Sequence, residues 1–168
     1  MKRLYTIGYE GADLADFLNT LKHAKARVLL DVREIPISRR KGFSKTALKT
    51  ALAGVGIDYR HERQLGSPKQ IRHRLREDWD YKRFFRDFGR HLDKQSDLLT
   101  LLTQELKGNV VLMCYEKDHT ECHRSSVVNE LADRLGLEPI HLNVEHNHDR
   151  REAQQAAYSH LGKGLSPA

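Results

Sequence analysis

The chain has 168 residues, 39% of them hydrophobic, and its 29 Lys and Arg outnumber 23 Asp and Glu to leave a formal net charge of +6. That length suits one domain that buries a core without a metal or disulfide scaffold, and no apolar run approaches the ~20 residues of a transmembrane helix. Residues 1–8 read as a strand rather than a secretory signal, which makes the cytoplasm the expected location and thiols, not a structural disulfide, the expected state of Cys114 and Cys122.

In chain order, residues 4–7 and 27–32 are short β-rich runs. Between them Leu14, Phe17, Leu18 and Leu21 recur at helical spacing behind Asp13, a suitable N-cap, and the three pieces make a β-α-β unit. An irregular stretch around Pro36 precedes a helix capped by Ser44, whose Leu48, Leu52 and Val55 share one face and which stops near Gly56. Residues 57–60 form a third strand. After the break at Leu65-Gly66-Ser67-Pro68, residues 69–106 read as helix in two or three pieces, with Phe84, Phe85 and Phe88 turned inward. Residues 109–114 are the clearest buried strand. A helix over 122–135 presents Val127, Val128, Leu131 and Leu135 and stops at Gly136, and residues 139–142 supply a fifth strand. Strands alternating with helices predict an α/β fold: a single three-layer domain over 1–145, with a mainly parallel sheet of about five strands and helices on both faces, followed by a polar C-terminal extension over 146–168.

Charge is spread unevenly. Residues 33–76 carry twelve Lys and Arg against three Asp and Glu, a local +9, whereas 77–168 are net −4. Such a segment attracts an anionic partner; a solvated basic face balanced by the acidic half is the plainer alternative. In open parallel sheets ligands bind beyond the carboxyl ends of the strands. Those ends carry Gly8-Tyr9-Glu10-Gly11, Asp31-Val32-Arg33, Tyr59-Arg60-His61 and Cys114-Tyr115-Glu116, and they are expected to converge on one crevice.

The segment 114–126 holds most of the chemistry. Amides at 120–125 are expected to be unpaired at a helix start, and with the guanidinium fork of Arg124 they would form an anion pocket. There Cys122 could gain a lowered pKa and act as nucleophile, with His123 as acid or base and Glu116 or Asp118 orienting it. Capping or packing is the competing role for Cys122, and a salt-bridge anchor to Asp31 or Glu116 the competing role for Arg124. Cys114 is expected to be a small core residue. Thr120 and Val128 stand six positions after the two cysteines, so the Cys-x5-Arg phosphatase loop is excluded. Cys114, His119, Cys122 and His123 suit zinc by type, but the usual pair spacings do not occur, and neither a metal nor another cofactor is expected.

Thr6-Ile7-Gly8-Tyr9-Glu10-Gly11, Asp31-Val32-Arg33-Glu34-Ile35-Pro36-Ile37-Ser38-Arg39 with Gly42-Phe43-Ser44-Lys45, Gly56-Ile57-Asp58-Tyr59, Leu65-Gly66, and Cys114-Tyr115-Glu116-Lys117-Asp118 with Cys122-His123-Arg124 follow one another along the chain. This ordered combination resembles the domain of unknown function 488 family. The resemblance implies a compact single α/β domain of bacterial or archaeal type and one site made of Asp31, Arg33, Arg39, Ser44, Lys45, Tyr59, Glu116, Cys122, His123 and Arg124; it assigns no reaction. His119 stands where the family has proline after the Lys-Asp pair, which argues against His119 as a family metal ligand.

The expected function is therefore recognition of a phosphate-bearing ligand, a nucleotide or a nucleic-acid end. Arg33, Arg39, Lys45 and Arg124 would hold the anion, and Glu116, His123 and Cys122 would carry any hydrolase or transferase chemistry. The alternative is a non-catalytic nucleic-acid-binding module using residues 33–76, whose signature is steep salt dependence without turnover. A partner-binding domain is a third reading, and no membrane partner is expected.

Overall fold

The computed structural model describes residues 1–147, so the expected extension lies outside the described residues from position 148 onward. Five strands form, β1 (Arg3–Gly8), β2 (Ala26–Asp31), β3 (Asp58–His61), β4 (Asn109–Cys114) and β5 (Ile140–Leu142). The helices are α1 (Leu14–His23), α2 (Lys45–Ala53), α3 (Lys69–Asp78), α4 (Tyr81–Asp93), α5 (Ser96–Glu105) and α6 (Arg124–Leu135). All strand pairs are parallel, in the order β3-β2-β4-β1-β5.

Alternation along the strands explains the three layers. Leu4, Val28, Leu30, Val110 and Leu112 face one side and pack with Phe88 and Leu92 of α4, Leu99 and Leu102 of α5, and Val127, Val128 and Leu131 of α6. Tyr5, Ile7, Leu29, Val111 and Met113 face the other side, covered by Phe17 and Leu21 of α1 and Leu48 and Leu52 of α2. A sheet buried on both faces requires strands that are apolar throughout, and the β4 run from Val110 to Cys114 is buried at every position. Among the described residues no helix is long and apolar enough to cross a membrane.

The local signals read from the sequence act in three different ways. Asp13 caps α1, its Oδ1 accepting from the Asp16 amide at 2.8 Å. Gly136, at φ +64°, closes α6 in the left-handed conformation that costs glycine nothing. Ser44 stands at the start of α2 but makes no cap bond. Its hydroxyl instead accepts from the Ser38 amide at 3.0 Å and donates to the Ser38 carbonyl at 3.2 Å, pinning the β2–α2 loop.

The strand order positions the crevice. The chain moves outward through β1, β2 and β3, then returns so that β4 inserts between β2 and β1. Gly8 pairs with Cys114 and Asp31 with Met113, so three strand ends and their loops lie side by side at the switch point. The approach is tight at Gly8, where an added Cβ would overlap the Glu116 carbonyl oxygen.

Gly8→Ala is expected to lower stability by about 1–3 kcal/mol through this overlap, whereas Gly89→Ala, in α4 with nothing within 4 Å of the new methyl, should raise it by about 0.5–1 kcal/mol. Urea denaturation of both variants checks the opposite signs.

Candidate functional site

Beneath the crevice lies a buried ionic node. Asp31, fully buried at the end of β2, receives Arg33 through two bonds, Nε to Oδ1 at 2.9 Å and Nη2 to Oδ2 at 2.6 Å. The other guanidinium nitrogen, Nη1, donates to the Tyr9 hydroxyl at 3.1 Å and the Phe43 carbonyl at 2.8 Å. Tyr59 of β3 donates its hydroxyl to Asp31 Oδ2 at 2.6 Å. Burial opposes the charge on Arg33, but the Asp31 carboxylate outweighs it and raises the guanidinium pKa further. Burial, and then the bond to Asp31, push the Tyr59 phenol up as well. Paired so completely, the node acts as a brace.

Above it opens a cleft of about 890 Å³. The β2–α2 loop contributes Ile35, Ile37, Ser38, Arg39 and Arg40; α3 and its end contribute Arg72, Leu75, Arg76 and Trp79; the loop after β4 contributes Tyr115, Glu116 and Glu121. Arg72 is committed to Glu34 at 2.5 Å and to the Ser67 carbonyl, and Arg40 Nε to the Ala12 carbonyl. Arg39 and Arg76 are exposed, and their side chains make no hydrogen bond or ion pair among the described residues. Opposite charge enters from Glu116 and Glu121. Burial and then the charges of Glu121 and Glu116 raise the Tyr81 phenol pKa.

Apolar exposure concentrates here too. Six large hydrophobic side chains are exposed among the described residues, and four of them line this cleft: Ile35, Ile37, Trp79 and Tyr115. Tyr115 stands edge-on to Tyr9, with centroids 5.4 Å apart, and Tyr9 stacks on Phe43 at 4.5 Å. Trp79, 61% exposed, ends α3 with φ +55°.

The β4–α6 loop corrects two expectations. Its amides at 120–125 are largely used: Thr120 donates to Asp118 Oδ1, Glu121 to the Asp118 carbonyl, Cys122 to the His119 carbonyl, Arg124 to Cys122 Sγ and Ser125 to the Cys122 carbonyl. The cause is a short 3₁₀ turn over His119–Glu121, capped by Asp118, that precedes α6 and consumes the donors an abrupt helix start would expose. Bonds from the Thr120 hydroxyl and amide hold Asp118 below the usual carboxylate range. Arg124 faces inward instead of into the cleft. Only 1% exposed, it donates from Nη1 to the Glu116 carbonyl and from Nη2 to the Lys117 carbonyl at 3.2 Å, while Nε lacks a partner among the described residues. It has no carboxylate partner among the described residues, so the anchor expected toward Asp31 or Glu116 side chains is made to backbone carbonyls.

The structure distributes the sequence-derived residues over different places. Arg33, Arg39, Glu116 and His123 line the cleft, with Asp31 and Tyr59 braced behind Arg33. Ser44 pins the loop, and Lys45 is exposed outside the cleft lining. Cys122 is 1% exposed and not on the cleft wall; burial, then the neighbouring Cys114, pushes its thiol well above the ordinary value, the opposite of nucleophile activation. Cys114 does line the cleft. Its Sγ lies 3.9 Å from His123 Nδ1, and Cys122 Sγ lies 4.0 Å from the same atom. His119 is elsewhere, stacked on His141 with centroids 3.5 Å apart. Sequence reasoning missed Trp79, Arg40 and Arg76, and placed Tyr115 at the crevice only as part of a strand end. The available signal was a helix, α3, whose surface is so polar that it buries no residue, ending in the chain's single tryptophan.

Comparison with known proteins bears out the resemblance: a family model described as Domain of unknown function DUF488 matches residues 13–131, a span containing every residue of the expected site. No curated protein and no solved structure matches the chain.

Asp31→Asn should cost about 3–5 kcal/mol, because it strands the buried Arg33 charge; Tyr59→Phe, removing one bond to the same carboxylate, should cost about 1.5 kcal/mol. Chemical denaturation ranks the two. Arg124→Lys is expected to lose about 1–3 kcal/mol, since an ammonium cannot reproduce the planar fork across two carbonyls, and the melting temperature reports it.

Proposed function

The chain belongs to the DUF488 family, and we propose that its cleft binds a nucleotide or a nucleic-acid end, with phosphate held by Arg39, Arg76 and Arg40 and the base laid against Trp79 and Tyr115. The observation that carries this reading is the pairing of the Arg39 and Arg76 guanidinium groups, which have no partner among the described residues, with exposed aromatic faces along one wall system. Phosphate selects cations, bases stack on aromatic rings, and neither feature alone accounts for the other. Glu116 and Glu121 add acceptors for exocyclic amino groups. Arg33 and Arg124, whose donors are largely committed inside the protein, serve this site by shaping it.

For hydrolysis or group transfer, Glu116 is the acid–base group best placed: it lines the cleft, and its buried Oε2 has no hydrogen-bond partner among the described residues. A cytoplasmic setting agrees with two free cysteines buried close together without a disulfide. The non-catalytic nucleic-acid reading draws support from α3, which presents Lys69, His73 and Arg74 outward as well as its cleft residues.

Trp79 is the only tryptophan, so its fluorescence reports occupancy directly. Mononucleotides and short single-stranded oligonucleotides should quench it, inorganic phosphate should not, and the Arg39→Ala/Arg76→Ala double variant should weaken binding about tenfold or more. Mononucleotide binding with a shallow salt dependence supports the nucleotide site. Oligonucleotide binding alone, with log affinity falling about 0.7 per phosphate contacted for each log unit of salt, favours the binding module. Unchanged fluorescence with all of these probes refutes both.

A further inference from the structure

We propose that Cys114, Cys122 and His123 form a three-donor site for a zinc-class cation whose fourth position opens on the cleft. Both sulfurs and the imidazole nitrogen lie within 4.8 Å of one another, and all three residues are buried. Cys114 ends β4. The loop bulges outward over 115–121 and returns to place Cys122 and His123 against it, so an eight-residue sequence separation closes into one cluster.

The orientation of His123 is the strongest argument. Its Nε2 lies 2.7 Å from the Val32 carbonyl. A carbonyl can only accept, so Nε2 carries the hydrogen, and in the neutral ring Nδ1 turns its lone pair toward both sulfurs. Metal-ligating histidines use this arrangement: the distal nitrogen donates to a backbone carbonyl, which fixes tautomer and ring plane. Phe88 stands edge-on to the ring at 5.1 Å and holds it from the side.

The donor set selects the metal. Two thiols and one imidazole suit a borderline or soft cation and are poor ligands for magnesium or calcium. Sulfur-to-nitrogen separations of 3.9 and 4.0 Å exceed by a few tenths of an ångström the edge of about 3.6 Å implied by ordinary Zn–S and Zn–N bond lengths in a tetrahedron. A small contraction closes the site. Without a cation these groups offer one another only weak sulfur hydrogen bonds in a core of leucine and valine. Cys114 and His123 are both on the cleft wall while Cys122 lies behind them, which leaves the remaining coordination direction toward the cleft and Glu116. A cation held there acts as a Lewis acid on an oxygen of the cleft's occupant.

The test uses untagged protein purified under reducing conditions without chelator. Elemental analysis should find one zinc per chain. Cobalt(II) added to the zinc-stripped protein should produce the visible bands of tetrahedral cobalt with a thiolate-to-cobalt band, saturating at one equivalent. Cys114→Ser, Cys122→Ser and His123→Gln should each weaken cobalt binding at least tenfold, with His119→Ala unchanged. Melting temperatures establish that each variant is folded, and the spectrum of the parent stands on its own if one is not. Quenching of Trp79 by nucleotides, read with and without chelator, keeps this proposal separable from the nucleotide reading. A folded, reduced parent with no saturable thiolate-to-cobalt band, or a native Cys114–Cys122 disulfide in the intact mass, would overturn the site, as would cysteine variants that keep the parent spectrum.

Discussion

The carboxyl edge of the sheet is organised around the buried pair of Asp31 and Arg33. Two charges with so little exposure persist only when their remaining donors and acceptors are satisfied, and here the satisfaction is what connects the structure. Arg33 reaches Tyr9 after β1 and Phe43 before α2, and Asp31 receives Tyr59 from β3. The residue between them works in both directions: the Val32 amide donates to Met113 of β4, and its carbonyl receives His123 at the start of α6. Three consecutive residues thus tie together the carboxyl ends of β1, β2, β3 and β4. Loops that would otherwise sample many conformations are held at fixed distances, which is the condition for a site to bind without a large ordering cost.

A division of labour follows. Arg33 and Arg124 are the most deeply buried arginines among the described residues, and both direct their terminal guanidinium nitrogens to protein oxygens. Arg124 is a strut: by holding the Glu116 and Lys117 carbonyls it sets the path of the loop that brings Glu116 to the cleft and closes over Gly8. The proposed recognition would fall to side chains that the fold does not use. Arg39 and Arg76 have no side-chain partner among the described residues, and Trp79 and Tyr115 expose ring surface along the same cleft. The same loop that displays Glu116 also folds its two cysteines inward, so one segment supplies both an outward acid and an inward sulfur cluster.

The architecture was legible because it depends on local periodicity. Alternating β-rich runs and helical stripes between Leu4 and Leu142 define which residues are apolar on which face, and burial then leaves few arrangements for a sheet covered on both sides. Asp13 and Gly136 could be read as helix stops and starts because capping involves residues within one turn of each other. Ser44 could not, since its competing partner, Ser38, belongs to a loop whose path no local rule sets.

At the site the boundary falls between residue type and residue direction. The sequence alone determined that Asp31, Arg33 and Glu116 sit at or just beyond strand ends and His123 and Arg124 near a helix start, because element boundaries are local. It could not decide which of them face the cleft. An arginine is equally able to meet a ligand phosphate or a backbone carbonyl, and the choice depends on whether carbonyls lie within reach inside the fold. Tertiary structure turned Arg124 inward to Glu116 and Lys117, left Arg39 outside, and brought Trp79 from the end of a polar helix to the same opening as Tyr115. It also closed the gap between Cys114 and Cys122, whose spacing matches no short metal motif, because chain separation limits contact only until a loop folds back on itself.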